Sequence, residues 1–438
     1  MAFLAAENRV KIVLKNFRMV DEDTDTKGSL VIENGLIAEV LDGESCGDGA
    51  AIVIDGGRLS PRGNLPVLMP AFVDLHAHFR ECGLHEKEAP FPAELIESAS
   101  LSAATGGFGT VVCMANTKPP ADTVEKAAAV KSRSDALGLI DLYPALSLTK
   151  NMEGKELSEI TRLSPDGGFL PLMISEDGKD LADKELFLGA MKEAKRLGII
   201  VSCHCDFGGN ENNAVRRVIE LGKKAGCRVH IDHVSTKESV ETIREAKAAE
   251  ASNGAGGFRL TCEATPHNLC LTKEDAVKLG EKTWGRVSPP LGSEEDRQAL
   301  IKALADGTID AIATDQAPHS AADKNAGAPG FSGFETAFSA VYTALFHDTS
   351  GVPVMSLKKL SSLMSANPAR LLGFGDGPKK RGLLLPGHRA DLVIVDTEAS
   401  WTVTPDLFKS RGKNSPFIGR RLYGKILMTL YSGRVAFG

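Results

Sequence analysis

Between Ala71 and Asp315 the chain alternates eight short apolar, β-branched runs with amphipathic stretches, and this alternation restricts the fold more than any other feature. The runs are AFVDLH (71–76), TVVCMA (110–115), LIDLYPAL (139–146), FLPLMIS (169–175), IIVSCH (199–204), RVHIDH (228–233), FRLTCEA (258–264) and IDAIATD (309–315). Strands this apolar need cover on both faces, the condition of a parallel sheet wrapped by helices. Between them, Lys184–Leu197 places Leu186, Phe187, Ala190, Met191, Ala194 and Leu197 on one helical face, and Asn213–Lys224 does the same with Val215, Val218, Ile219 and Leu221. Eight β/α units predict an α/β fold of the (β/α)8 TIM-barrel type, with its functional groups at the C-terminal ends of the strands.

The flanks read differently. From Asn8 to Ile54 short β segments (Lys11–Leu14, Ser29–Glu33, Leu36–Val40, Ala51–Ile54) are separated by Asp, Gly and Asn clusters. After a helical stretch, Leu357–Phe374, the β texture returns in GLLLPGHRADLVIVD and GKILMTLYSGRVAF. Each flank is too short to bury a core alone, so the two are expected to pair into one discontinuous β-sandwich. The expected division is 1–65 and 375–438 for the sandwich and 66–374 for the barrel.

Charge excludes some partners. Lys and Arg total 51 against 57 Asp and Glu, a net −6, which argues against nucleic acid or an anionic membrane as a broad partner. No apolar stretch approaches the ~18 residues of a membrane helix. The opening MAFLAAENRVKIVLKN is broken by Glu7, Asn8 and Arg9 and fails as a signal peptide, so a cytoplasmic protein is expected. Eight dispersed cysteines without a Cys-x-x-Cys pair read as core thiols.

Ligand-type side chains collect where the strands end. His76 and His78 close the first run, His204 the fifth, His233 the sixth and Asp315 the eighth. His76 and His78 taken alone serve equally as packed histidines or as metal ligands. In the sixth run, period two sets Val229, Ile231 and His233 on one face and His230 with Asp232 on the other, so His233 is the expected inward residue and His230 a structural one. The same logic turns Cys203 and Cys205 towards the helices. Asp177, in SEDG beyond the fourth run, fits an Asp-Gly turn by itself; joined to four histidines and Asp315 it can bridge two cations. A donor set of nitrogen and oxygen makes zinc, as one or two ions, the default, with Mn, Co and Fe open.

Other motifs carry less. GESCG (Gly43–Gly47) matches a nucleophile elbow only formally, because no helix follows it. GGFG (Gly106–Gly109) precedes a strand, so it reads as a helix-to-strand turn rather than a phosphate cradle.

DLHAHFRE (74–81), MANTKPP (114–120), HVSTKES (233–239), ATPHN (264–268), ATDQAPH (313–319), ANPARLLGF (366–374), PGHRADLVIVD (386–396) and SPFIGRRLYGKI (415–426) together resemble the long bacterial dihydroorotases of the amidohydrolase superfamily. The resemblance implies a TIM barrel flanked by a β-sandwich. It also implies reversible cyclisation of N-carbamoyl-L-aspartate to L-dihydroorotate, in pyrimidine biosynthesis. It puts His76, His78, Asp177, His204, His233 and Asp315 on the metal ligands, Asp177 bridging because Gly167–Ser175 offers no lysine, and makes Asp315 the proton shuttle. Arg80, Asn116 and His319 fall on the clamp for the substrate carboxylate, and Ser288 on a ring contact. It further suggests a homodimer or association with an aspartate carbamoyltransferase.

The chain departs from the family pattern at Gln316, Asn268, Ser288 and Gly292. Two other readings therefore stand beside the first. One is a different cyclic amidohydrolase acting on dihydropyrimidines, hydantoins or allantoin, which generally lacks the arginine at position 80. The other is a catalytically silent scaffold for aspartate carbamoyltransferase, disfavoured because all six ligand positions are filled.

Overall fold

The computed structural model describes residues 11–43, 52–60, 63–82, 93–253, 257–347 and 352–438. Its centre is a parallel barrel. The strands run Phe72–Ala77, Phe108–Cys113, Asp141–Pro144 continuing as Leu146–Ser147, Met173–Ser175, Ile200–Cys203, Arg228–Ile231, Arg259–Ala264 and Ala311–Ile312. Each pairs in parallel with the next, from Val73↔Thr110 through Ile174↔Leu146 and His230↔Thr261 to Glu263↔Ala311. A parallel bridge from Ala77 to Gln316 joins the eighth strand to the first and closes the ring.

The helices form where the sequence supplies faces and caps. Lys184–Leu197 starts on Asp183, whose carboxylate accepts from the Glu185 and Leu186 amides, and stops at Gly198 with φ +71°. Its Phe187, Ala190, Met191, Ala194 and Leu197 are buried, while Lys195 and Arg196 sit at the negative end of its dipole. Glu211–Ala225 repeats the scheme, from Asn210 to Gly226. Between the third and fourth strands only 3-10 turns occur, Lys150–Met152 and Glu159–Arg162. The GGFG segment is a helix-to-strand turn: Ile96–Thr105 ends there, Gly107 has φ +91°, and the second strand begins at Phe108.

Both terminal segments enter one mixed sheet, with Arg434–Phe437, Arg421–Tyr431, Leu392–Thr402, Val67–Pro70, Ile12–Val20, Asp25–Glu33 and Leu36–Asp42 side by side. A short strand, Ile52–Asp55, also pairs with the first half of Ile12–Val20. Leu14, Phe17, Leu30, Ile32, Leu68, Leu392, Ile394 and Leu430 form its own buried core. Val67–Pro70 lies past the boundary expected at residue 65, yet it pairs with both terminal segments, so the sheet segment extends to Pro70. Of the GESCG motif only Gly43 lies within the described residues.

Buried charge ties sheet to barrel. Asp141, at the foot of the third barrel strand, accepts from Arg381 (2.8 Å) and Arg389 (2.7 Å) of the C-terminal segment. Arg381 also donates to Thr110 Oγ1 (2.6 Å), and Arg389 Nε lies 3.2 Å from Asp391. At that same end Val73, Val112, Met173, Ile200, Ala311 and Ala313 meet Ala369, Leu372 and Phe374, an apolar plug that leaves the opposite mouth for polar groups. Among the described residues no helix is long and apolar enough to cross a membrane.

Candidate active site

The barrel mouth opens into a cavity of about 150 Å³ lined by His78, Arg80, Asn116, Asp177, His204, His233, Ser288, Asp315 and His319, with Gly178, Ala317, Pro329 and Gly330. His76 lies beneath it, fully buried. All ten residues singled out from sequence thus converge on one place.

The route to that place differs from strand to strand. Asp177 sits in a tight turn in which the Lys179 amide donates to the Glu176 carbonyl and Gly178 has φ +79°. The Asp-Gly turn is real, and it is what aims the carboxylate: the Asp177 amide donates to Ser175 Oγ (3.1 Å) and Asn116 Nδ2 donates to Asp177 Oδ2 (3.1 Å).

The sixth strand corrects the alternation argument. Val229 and Ile231 pack with the helix-facing core, whereas His230 points to Glu263 and Thr261 inside the barrel. Period two carried past Ile231 would therefore turn His233 away from the mouth. His233 reaches it because the strand has ended and its own φ is +35°. Asp315 (φ +47°) and Arg80 (φ +61°) share this left-handed backbone, uncommon for residues with a Cβ and costing ~1–2 kcal/mol each. Cys203 and Cys205 pack in the helix-facing core, as expected.

Donor atoms crowd around Asp177. Its Oδ1 lies 3.4 Å from His76 Nε2, 3.5 Å from His204 Nδ1 and 3.9 Å from His233 Nε2, and its Oδ2 lies 3.5 Å from His78 Nε2. Asp315 Oδ1 lies 3.2 Å from His78 Nε2 and 3.6 Å from His76 Nε2. His204 Nδ1 and His233 Nε2 face each other at 2.9 Å. Ligands about 2.0–2.2 Å from a cation stand about 2.8–3.6 Å apart in tetrahedral or octahedral arrangement, close to this spacing. His76 Nε2 and Asp177 Oδ1 are buried without any hydrogen-bond partner, which a shared cation would supply. The residues fit a divalent metal, in one group around His76, His78 and Asp315 and another around His76, Asp177 and His233.

Electrostatics agree. Burial alone would raise the Asp177 and Asp315 carboxyls, but the histidines around them hold both well below the usual range. Burial opposes the charged form of His76, yet Asp177 and Glu263 pull its pKa well above normal. Carboxylates and imidazoles thus stabilise each other's charged forms, and a cation at the same atoms would take the place of the imidazole protons.

Asn116 is engaged on both atoms, since His78 Nδ1 donates to its Oδ1 (2.8 Å) while its amide holds Asp177. It lines the cavity, but its polar atoms serve the histidine and the aspartate. Arg80 is different: its Nε donates weakly to the Pro318 carbonyl (3.4 Å) and its Nη2 lies 3.3 Å from His319 Nε2. Among the described residues it has no carboxylate within ion-pair distance. His319, whose pKa burial and the Arg80 charge push down to about 4, is neutral beside it.

The departures from the family pattern divide. Gln316 does not line the cavity; its Oε1 accepts from the Gly333 (2.5 Å) and Phe334 (3.0 Å) amides and pins a neighbouring turn. At Gly292 a Cβ would stand 2.8 Å from the Ser235 carbonyl oxygen, so this backbone admits no side chain there. Ser288 does face the cavity, with Oγ 3.4 Å from Asp206 Oδ2. Asn268 is buried with neither amide atom paired. Sequence reasoning passed over Glu263 and Asp232, both buried beside His76. The signal was present, since a carboxylate inside an apolar strand is stable only with partners.

Residues 67–436 match the amidohydrolase family. The chain belongs to that family. Its relatives include the dihydroorotase of Clostridium botulinum (strain Eklund 17B / Type B), 36% identical over 436 residues and covering 98% of this chain and 100% of that protein. The dihydroorotase of Thermoanaerobacter sp. (strain X514) is also 36% identical, over 98% of this chain and 97% of its own length. Among solved structures, the L-hydantoinase (dihydropyrimidinase) from Arthrobacter aurescens superposes with a TM-score of 0.80 at 26% identity, over 97% of this amidohydrolase and 95% of that chain. The D-hydantoinase from Thermus sp. does so at 0.76 and 21%, over 97% and 94%.

Proposed function

We infer that this amidohydrolase is a dihydroorotase, interconverting N-carbamoyl-L-aspartate and L-dihydroorotate. The observation that carries this choice of substrate is Arg80, a guanidinium at the cavity wall that has no carboxylate within ion-pair distance among the described residues. A planar fork of donors suits a carboxylate, and dihydroorotate carries one on its ring where hydantoin and dihydrouracil do not. Full-length likeness to dihydroorotases supports the same reading.

In this reading His76, His78, Asp177, His204, His233 and Asp315 hold one or two divalent cations, zinc being first choice for nitrogen and oxygen donors. Such a cation lowers the pKa of water and polarises a carbonyl. Arg80, beside neutral His319, fixes the ring by its carboxylate, and Ser288 lies against the ring. Asn116 keeps the proton of His78 on Nδ1 and so leaves Nε2 free to bind. In hydrolysis water adds to the ring carbonyl carbon and the C–N bond breaks. Asp315 takes the proton from the water and delivers it to the departing nitrogen. Cyclisation reverses each step and releases water.

A second reading, hydrolysis of an uncharged ring, is favoured by the likeness to hydantoinase structures. Purified protein supplied with zinc, given L-dihydroorotate, dihydrouracil and hydantoin in parallel, separates the two. Turnover of dihydroorotate alone supports the first reading, and turnover of only the uncharged rings supports the second.

A further inference from the structure

Below His76 the barrel interior holds buried polar side chains that the proposed reaction does not use. Glu263, on the seventh strand, is fully buried; its Oε1 accepts from His76 Nδ1 (3.2 Å) and its Oε2 from His230 Nε2 (3.0 Å). His230, on the sixth strand, contacts Thr261 Oγ1 through Nδ1 (2.8 Å). The neighbouring carboxylate, Asp232, is taken up by Ser202 Oγ (2.7 and 2.8 Å) and stands 3.9 Å from His76 Nδ1. Glu263 is thus the acceptor for that ring nitrogen.

An imidazole has two nitrogens, and a carboxylate acceptor at Nδ1 places the proton there and leaves the lone pair on Nε2. Nε2 is the atom aimed at Asp177 and Asp315, and it has no hydrogen-bond partner of its own. The carboxylate also raises the basicity of the ring it holds. Because the chain His76–Glu263–His230–Thr261 runs between strands and not loops, the orientation of the ring is set by the barrel itself. We propose that Glu263, held by His230, which Thr261 contacts in turn, is a positioning residue that fixes the tautomer and plane of His76 and thereby sets the affinity of the site for its cation. The proposal rests on the reading of His76 as a metal ligand.

The test compares wild type, E263Q and T261V after chelation, by zinc titration against a chromophoric chelator and by the visible absorption of the cobalt form. E263Q is expected to bind zinc tenfold to a hundredfold more weakly, with an altered cobalt spectrum. T261V, two contacts removed, is expected to show a smaller loss in the same direction. Melting of the metal-free proteins by circular dichroism reads folding separately. Wild-type binding with unchanged affinity and spectrum in E263Q overturns the proposal alone; a purely structural carboxylate would give that result with only a shifted melt. Should E263Q fail to fold, T261V decides, and zinc affinity equal to wild type overturns the proposal. Absence of binding by wild type overturns the metal reading, and this proposal with it.

Discussion

Replacing Arg80 with Met removes the guanidinium fork while keeping an unbranched apolar stem. Among the described residues the fork has a weak contact to the Pro318 carbonyl and a neutral histidine as neighbours, so its loss strands no carboxylate of those residues. What it strands is the substrate carboxylate. Truncating one side of a buried charged pair costs ~2–5 kcal/mol. Arg80 is only partly buried and His319 stays in place, which puts the cost at the low end, ~2–3 kcal/mol. At about 1.4 kcal/mol per factor of ten, kcat/KM for L-dihydroorotate should fall about 30- to 150-fold. The loss should appear mainly in KM, because the carboxylate is held alike in ground and transition states. Dihydrouracil lacks only that group, so steady-state rates on both rings isolate the contact. An equal fall on both substrates, or no fall on dihydroorotate, would refute the assignment of Arg80 to the carboxylate.

Three further predictions concern the scaffold and the proton balance. Asp141→Asn leaves Arg381 and Arg389 short of their shared carboxylate and should cost ~3 kcal/mol in denaturant unfolding; a change below ~1 kcal/mol would mean that Asp391 carries the pair alone. Although burial opposes ionisation of Asp141, the two arginines and Lys131 hold its folded-state pKa well below the ordinary value. Its stabilising contribution is therefore complete above about pH 4 and lost as pH falls through the folded pKa, so the gap between wild type and Asp141→Asn should be constant from pH 5 to 8 and close in acid. His319, with a pKa near 4, should contribute no ionisation to kcat/KM near neutrality, so His319→Gln should leave the pH profile between 6 and 8 unchanged in shape; a limb at pH 6–7 that the variant abolishes would contradict this. Gly292→Ala should lower stability and weaken the Lys273 amide to Gly292 carbonyl contact (2.8 Å), since its Cβ would meet the Ser235 carbonyl and Asp296; an unchanged melt would show that this loop yields freely.

The barrel was legible because eight apolar, β-branched runs alternating with helical stretches call for a parallel sheet covered by helices, their number being that of a closed barrel, and because Asp183, Gly198, Asn210 and Gly226 mark helix ends in the sequence itself. Val67–Pro70 was not legible as part of the sheet: four buried residues ending in proline show no alternation, and only pairing with Leu392–Val395 identifies them. Within the site, ligand types at strand ends pointed to residues that the fold brings together at one mouth, but periodicity alone did not explain how they get there. His233 and Asp315 turn inward through left-handed backbone after their strands have ended, a torsion that no side-chain pattern announces. Glu263 was hidden for the opposite reason, since it sits within a strand that otherwise reads as core. Its partners His76 and His230 are 187 and 33 residues away.

In the proposed reaction the cluster at the barrel mouth opens and closes the dihydroorotate ring, and Asp315 moves the proton. The most direct measurement is the rate of L-dihydroorotate hydrolysis by zinc-supplemented protein, with Asp315→Asn purified alongside. Wild type is expected to turn the substrate over, and the variant to lose that turnover by orders of magnitude. Near-normal turnover in Asp315→Asn would contradict the assigned role of that carboxylate, and no turnover in either protein would contradict the choice of substrate.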